Sequence, residues 1–275
     1  MMLNIPKNPT DKSFADGKIL QSVGDGIGIV TFNNPDKRNA MSLDMWEGLG
    51  QSLVELRDDP DVRVVIMVGA GDKAFVSGAD ISQFEKTRHN AEASEEYSKR
   101  SAAQRALLAD YPKPTVACIR GFCLGGGMQV AMLADIRFAA ENSQFGIPAA
   151  KLGIAYGYDG LRNLVSLVGP SWARLIMYTG MRIDSAEALR IGLVDRVLPD
   201  AELWNVTLEI ARTISGNAPL AIKAAKITIA QVLKDPEARD FAAIKNIGTA
   251  CMDSEDFREG RRAFMEKRKP EFRGK

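Results

Sequence analysis

TVACIRGFCLGGGMQVAMLADIRFAA, residues 115–140, holds a β-branched run, a glycine turn, an apolar helix and a second β run in immediate succession. Thr115 to Arg120 is short and apolar throughout, as expected of a strand covered on both faces. It stops at Gly121. Gly125-Gly126-Gly127 then opens a helix through Met128 to Leu133, and Ile136 to Ala140 reads as the next strand. Upstream, Val62 to Val68 (VRVVIMV) is another buried strand ending at Gly69-Ala70-Gly71. Ser42 is placed to cap a helix reaching Arg57, because Met45, Leu49, Leu53 and Leu56 recur at helical spacing. Lys18 to Val23 and Ile27 to Phe32 flank the turn Gly24-Asp25-Gly26 as a hairpin. This alternation predicts an α/β fold with crossover connections. Downstream of Pro170 the pattern is almost wholly helical, interrupted by Leu193 to Leu198. The expected division is a partly disordered lead over 1–17, an α/β core over 18–200 and a helical segment over 201–275.

Several function classes are excluded early. Lys plus Arg number 36 against 35 Asp plus Glu, so a net charge of +1 offers no global field for nucleic acid or an anionic membrane. No apolar run is long enough to span a bilayer and the N-terminus lacks a signal-peptide core, which leads to the expectation of a cytoplasmic protein. Cys118, Cys123 and Cys251 show no CxxC spacing and read as small hydrophobes. His89 is the one histidine and lies in a polar run, which leaves no histidine-rich metal site; no metal is expected. Neither GxGxxG nor GxxxxGK[ST] occurs.

Two glycine-containing turns, Ser77-Gly78-Ala79-Asp80 and Gly125-Gly126-Gly127, each follow a buried strand. Backbone N–H groups at such turns are able to converge on one oxygen as an oxyanion hole, and equally the glycines serve tight helix–strand packing. The blocks NNPDKRNAMS (33–42), AFVSGADI (74–81), GFCLGGGMQVAMLADIRFA (121–139), FGIPAAKLGI (145–154), ALRIGLVDRV (188–197) and REGRRAFMEKRKP (258–270) together resemble the enoyl-CoA hydratase/isomerase, or crotonase, family. The resemblance runs over about residues 18–270. It implies a spiral of ββα units, a helical C-terminal trimerisation segment, and a homotrimer or a hexamer built as a dimer of trimers. It also implies an acyl-CoA lyase that holds a thioester oxygen on the Ala79 and Gly126 N–H groups as an enolate develops. Coenzyme A would enter as part of the substrate, with no permanently bound cofactor. Lys37, Arg38, Ala40, Ser77, Asp80 and Ile81 match the family's coenzyme A segments, and Phe264 and Lys267 match positions reaching the adenine and phosphates. Asp80 also reads as a turn residue holding the oxyanion loop.

The chain departs from the family's hydratases where two glutamates place a water and move a proton: those positions hold Gln129 and Ala149. A glutamine amide orients water but cannot take its proton, and alanine has nothing to titrate. Tyr156 falls where methylmalonyl-CoA decarboxylase-like members carry a tyrosine, and loss of CO₂ generates an enolate without a base. The same tyrosine equally reads as packing a helix start. Asp159 is a base if desolvated, and otherwise a helix cap or a partner for Arg162. The leading expectation is thus a hydratase-like acyl-CoA enzyme. A decarboxylase using Tyr156 and a non-catalytic acyl-CoA-binding protein are the alternatives. Leu203, Trp204, Val206, Leu208 and Ile210 lie on more than one helical face, which suggests an oligomer burying them.

Overall fold

A computed structural model describes residues 11–83 and 89–275. Its strands are β1 (Lys12–Phe14), β2 (Ile19–Gly24), β3 (Ile27–Phe32), β4 (Val64–Gly69), β5 (Ala74–Val76), β6 (Thr115–Ile119), β7 (Phe122–Leu124), β8 (Ile136–Ala140), β9 (Gln144–Gly146), β10 (Arg182–Asp184) and β11 (Arg196–Leu198). Its helices are α1 (Leu43–Asp58), α2 (Ala91–Ala109), α3 (Gly126–Leu133), α4 (Tyr158–Thr179), α5 (Ser185–Arg190), α6 (Asp200–Gly216), α7 (Pro219–Val232), α8 (Phe241–Asp253) and α9 (Glu255–Glu266).

The strands form two sheets, one ordered β1-β2-β3-β4-β6-β8-β11 and a smaller one ordered β10-β9-β7-β5. Successive chain segments feed them in turn. β4 enters the larger sheet, β5 the smaller, and α2 follows; β6, β7 and α3 repeat the pattern, then β8, β9 and α4. This is the expected spiral of ββα units. From β3 to β11 the larger sheet is parallel, and the β5–β7–β9 pairs are parallel too.

The side-chain alternation of a strand divides the apolar residues between two cores. Val65 and Met67 of β4 face α1, α3 and the smaller sheet, whereas Val64, Ile66 and Val68 face α6. Ser42 caps α1, its hydroxyl accepting from the Met45 N–H at 3.2 Å, a contact worth ~1 kcal/mol in typical helices. Within α4 the helix breaks at Gly169, whose φ of 73° only glycine adopts freely, and Pro170 starts the next turn with φ already set.

Three expectations are corrected. The lead is shorter than 1–17, because Lys12–Phe14 pairs with β2; residues 1–10 lie outside the described part. The segment after 200 does not stand apart from the core in space. α6 belongs to the core, since Leu203 and Ala211 are buried on the larger sheet and Trp204, Val206, Leu208 and Ile210 pack beside them. Those residues therefore supply no argument for an oligomer. Exposed apolar side chains occur instead on α4, Leu175 and Tyr178 among them, and on the later helices and their ends, as at Ile229, Val232, Leu233, Phe241, Met252, Phe264 and Met265.

Candidate active site

Sheet topology brings the two glycine turns together. β5 and β7 are parallel neighbours in register Val76↔Cys123, so the chain leaves both strands at the same edge, into Ser77-Gly78-Ala79 and Gly125-Gly126. A Cβ built on Gly126 would lie 3.7 Å from the Gly78 carbonyl carbon and 3.7 Å from Cζ2 of Trp46, while one on Gly125 would lie 3.7 Å from Gly78 Cα. The two turns abut, with the indole of Trp46 beside them. Gly127 has a stricter reason to be glycine: a Cβ there would meet the Val76 carbonyl oxygen at 2.1 Å.

A short parallel bridge orients Ala79. Met41 N–H donates to the Gly78 carbonyl at 2.8 Å and Asp80 N–H to the Met41 carbonyl at 2.9 Å. Extended backbone presents alternate residues to opposite sides, so the Ala79 N–H points away from Met41. Gly126 is the first residue of α3, where the N–H has no intrahelical acceptor. Among the described residues neither N–H donates to a protein group.

The segment before α1 is fastened from three sides. Asn39 is buried at φ 56° and its amide donates to the Ala70 and Ala74 carbonyls at 3.0 and 2.8 Å, while its Oδ1 accepts from the Asn34 N–H. Ser77 N–H donates to the Arg38 carbonyl at 3.1 Å, and Ala40 is buried. Asp80, also buried, accepts from the Ser82 N–H and hydroxyl and from Lys37 Nζ at 2.9 Å. Burial acts to raise the Asp80 carboxyl, but the Ser82 hydroxyl and the Lys37 ammonium outweigh it and hold the group below the usual carboxylate range. Asp80 thus holds the loop through its side chain as well as its backbone, and Lys37 is tied down by Asp80 and Ser82. Arg38 stacks over the Phe122 ring at 5.3 Å, and Ile81 is exposed on the one-turn helix Ile81–Gln83.

Tyr156 sits behind the second turn. Its hydroxyl donates to the Gly125 carbonyl at 3.3 Å, and the Gln129 amide lies beside the phenol. Burial pushes the phenol above its ordinary range, with the field of Arg105 acting the other way, so it is a neutral donor at physiological pH. Ala149, 5% exposed, lies in the helical turn Pro148–Leu152, where its carbonyl accepts from Gly153 and Ile154. Asp159 does neither thing expected of it in a structural role. It is exposed in the first turn of α4, caps nothing, and forms no ion pair with Arg162 among the described residues.

Gly160 is a residue that sequence reading passed over. A Cβ there would meet Tyr156 Cε1 at 2.8 Å and Cδ1 at 3.1 Å. Gly160→Ala is expected to displace the ring and to cost ~1–3 kcal/mol of stability, the range for overpacking. Combining it with Tyr156→Ala should recover most of that loss in a denaturation cycle, whereas additive losses would show that the ring is not the obstacle.

Phe264 and Lys267 are elsewhere. Phe264, 82% exposed, lines a cavity of about 800 Å³ with Ala218, Leu220, Phe257 and Phe272. Arg63, at the N-terminal start of β4, donates to the Ser215 and Phe272 carbonyls, so this cavity belongs to the opposite end of the larger sheet from Ala70 and Asn39. One chain does not bring Phe264 to Lys37 and Arg38.

The enoyl-CoA hydratase/isomerase family model matches residues 22–275. The chain belongs to the enoyl-CoA hydratase/isomerase family. The short-chain-enoyl-CoA hydratase of Clostridium acetobutylicum is 37% identical over 253 residues, 92% of this chain and 96% of that protein. The crotonyl-CoA hydratase of Syntrophomonas wolfei is 34% identical over 90% of this chain and 94% of its own. A crystal structure of an enoyl-CoA hydratase/carnithine racemase from Magnetospirillum magneticum superposes with a TM-score of 0.90 at 35% identity, covering 94% of this chain and 96% of that one. The crotonase fold expected from the sequence is thereby established, and these two relatives carry hydratase names; the lyase expectation rests on the resemblance alone.

Proposed function

We propose that the protein binds an acyl-CoA thioester with its carbonyl oxygen between the Ala79 and Gly126 N–H groups and stabilises the enolate that develops there. The observation that supports this reading is the abutment of two turns with two unengaged N–H groups at one sheet edge. Donors fixed in advance need no reorganisation when charge appears, which is why such holes supply a large part of the catalysis in acyl chemistry. Lys37, Arg38, Ala40, Ser77, Asp80 and Ile81 would contact coenzyme A, with Asp80 positioning Lys37.

Proton handling in this reading differs from two-carboxylate hydration. Gln129 and Ala149 leave no carboxylate at the positions the family's hydratases use, while Tyr156 is a half-buried neutral donor bonded to Gly125. That favours reactions forming the enolate without a base, decarboxylation of a methylmalonyl-type thioester among them, with Tyr156 or a water it orients returning a proton. Purified protein tested on crotonyl-CoA and methylmalonyl-CoA separates the readings: hydration alone would make Tyr156 a packing residue, and binding without turnover would mean a non-catalytic acyl-CoA protein.

The C-terminal positions imply assembly. Phe264 and Lys267 reach a coenzyme A held near Lys37 only from a neighbouring copy, because in one chain they lie at opposite ends of strands ~20 Å long. The expected species in light scattering is a trimer or hexamer of the 30.0 kDa chain. Phe264→Ala is expected to raise KM for the thioester by about tenfold with kcat little changed, as for loss of uniform binding; a 30.0 kDa species with unaltered KM would contradict the shared site.

A further inference from the structure

The Gly126 N–H and the Gly125 carbonyl belong to one peptide group. That group is planar and trans, so its N–H and C=O point in opposite directions and can only turn together. Whatever holds the carbonyl therefore aims the N–H. Two donors hold it: the Gln129 N–H at 3.1 Å, as the first bond of α3, and the Tyr156 hydroxyl at 3.3 Å, from the segment just before α4.

This peptide needs fastening more than most. It joins two glycines, and Gly125 has φ 49° with ψ −108°, a combination that residues with a Cβ avoid. At such a φ the ordinary left-handed conformation has ψ of ~47°, reached by turning the 125–126 peptide through roughly 150°. That turn would carry the N–H away from the oxyanion position. Gly125 N–H donates to the Gly146 carbonyl at 2.9 Å, so the smaller sheet fixes the chain on the near side of the peptide but not the peptide itself. On the far side stands only the first bond of a helix, where ends fray. Tyr156 adds a bond from a separate element, and its own ring is lodged: a Cβ on Gly160 would meet Cε1 at 2.8 Å, and the ring packs on the buried core.

We propose that Tyr156 is a positioning residue whose hydroxyl holds and polarises the 125–126 peptide, keeping its N–H aimed at the thioester oxygen. The inference rests on the acyl-CoA reading. A carbonyl that accepts a hydrogen bond is more polarised, and the N–H of the same peptide becomes a stronger donor, an effect of ~10–30% per bond. Because burial keeps the phenol protonated, its donor is present throughout the neutral range.

Infrared difference spectroscopy on the full-length protein, with butyryl-CoA carrying ¹³C at the thioester carbonyl, tests it without turnover. This ligand has neither a double bond to hydrate nor a carboxylate to lose. Wild type is expected to lower the carbonyl frequency from its value in water, as two N–H donors polarise the bond. Tyr156→Phe is expected to lose roughly a quarter of that shift with affinity within about twofold, and Gly126→Pro about half of it. Replacing Tyr156 by 3-fluorotyrosine, a more acidic phenol of nearly the same size, is expected to enlarge the shift; packing alone would leave the frequency where it is in wild type. A phenylalanine variant with the full wild-type shift, or a fluorinated one that moves no further than wild type, would overturn the positioning role and leave the acyl-CoA reading standing. The fluorinated protein decides the matter by itself where the phenylalanine variant does not fold, since it keeps both ring and hydroxyl. Failure of wild type to bind the thioester, or binding with the carbonyl frequency unmoved, would overturn both.

Discussion

Gly126→Pro is expected to lower kcat/KM by ~10²–10³ on whichever thioester the protein turns over, the loss typical of removing one oxyanion donor. The position makes proline a selective probe. Gly126 is the first residue of α3, where a missing N–H breaks no helical hydrogen bond and proline's φ suits the helix. The control is Gly126→Ala. Its Cβ would meet its neighbours at 3.7 Å, ordinary contact distance, and its N–H stays, so its rate should remain within a few-fold of wild type. Equal losses in the two variants would trace the effect to the added bulk and remove the N–H from the mechanism. Binding of free coenzyme A should survive both changes, because Lys37, in the one-turn helix Pro35–Lys37, and its partner Asp80 lie outside this turn.

Ordinary hydration of crotonyl-CoA is expected to be slow in wild type, and Ala149→Glu is expected to raise it. A missing acid–base group gives up ~10²–10⁴ in rate, which bounds the gain. Burial limits it, since the new carboxyl enters a site where alanine is 5% exposed. Desolvation would lift its pKa and favour the protonated form, so the gain should grow as pH rises through that value. Gln129→Glu added to Ala149→Glu supplies the second carboxylate but places a charge beside Tyr156 where a neutral amide stood. Measuring wild type, the single and the double variant across pH separates these effects. Wild-type turnover at the ~10–10³ per second of efficient enzymes would show that another group moves the proton.

Much of the fold was legible because its signals are local. β-branched runs marked β3, β4 and β6, a short run after the apolar helix marked β8, the Met45-Leu49-Leu53-Leu56 spacing marked α1, and Ser42 announced its start. Besides β1, at the edge of the larger sheet, the strands missed were β5, β7, β9 and β10. Each has three residues, too few for any period to show, and each exists because a neighbour in the smaller sheet takes up its hydrogen bonds. That sheet brings Gly78 against Gly126, so the motifs named the turns, and only β5–β7 pairing made them adjacent.

Chemistry divides along the same line. The chain itself determines that Gln129 and Ala149 cannot exchange a proton at neutral pH, since that follows from residue type alone. It also determines that Gly126 begins a helix, because the glycine run precedes an apolar segment. Burial and opposition across elements are tertiary matters. A charged residue in a helix such as α2 reads as solvent-facing until α1 packs beside it and sets Trp46 under Arg105. Tyr156 was ambiguous between packing and chemistry because its hydroxyl's partner, the Gly125 carbonyl, lies on another element. Phe264 and Lys267 sit near the C-terminus in sequence, and only the docking of that end against Arg63 put them at the far edge of the larger sheet, away from Lys37. Spacing along one element reports which residues share its face; what that face meets is decided by which elements compete to cover the same apolar surface.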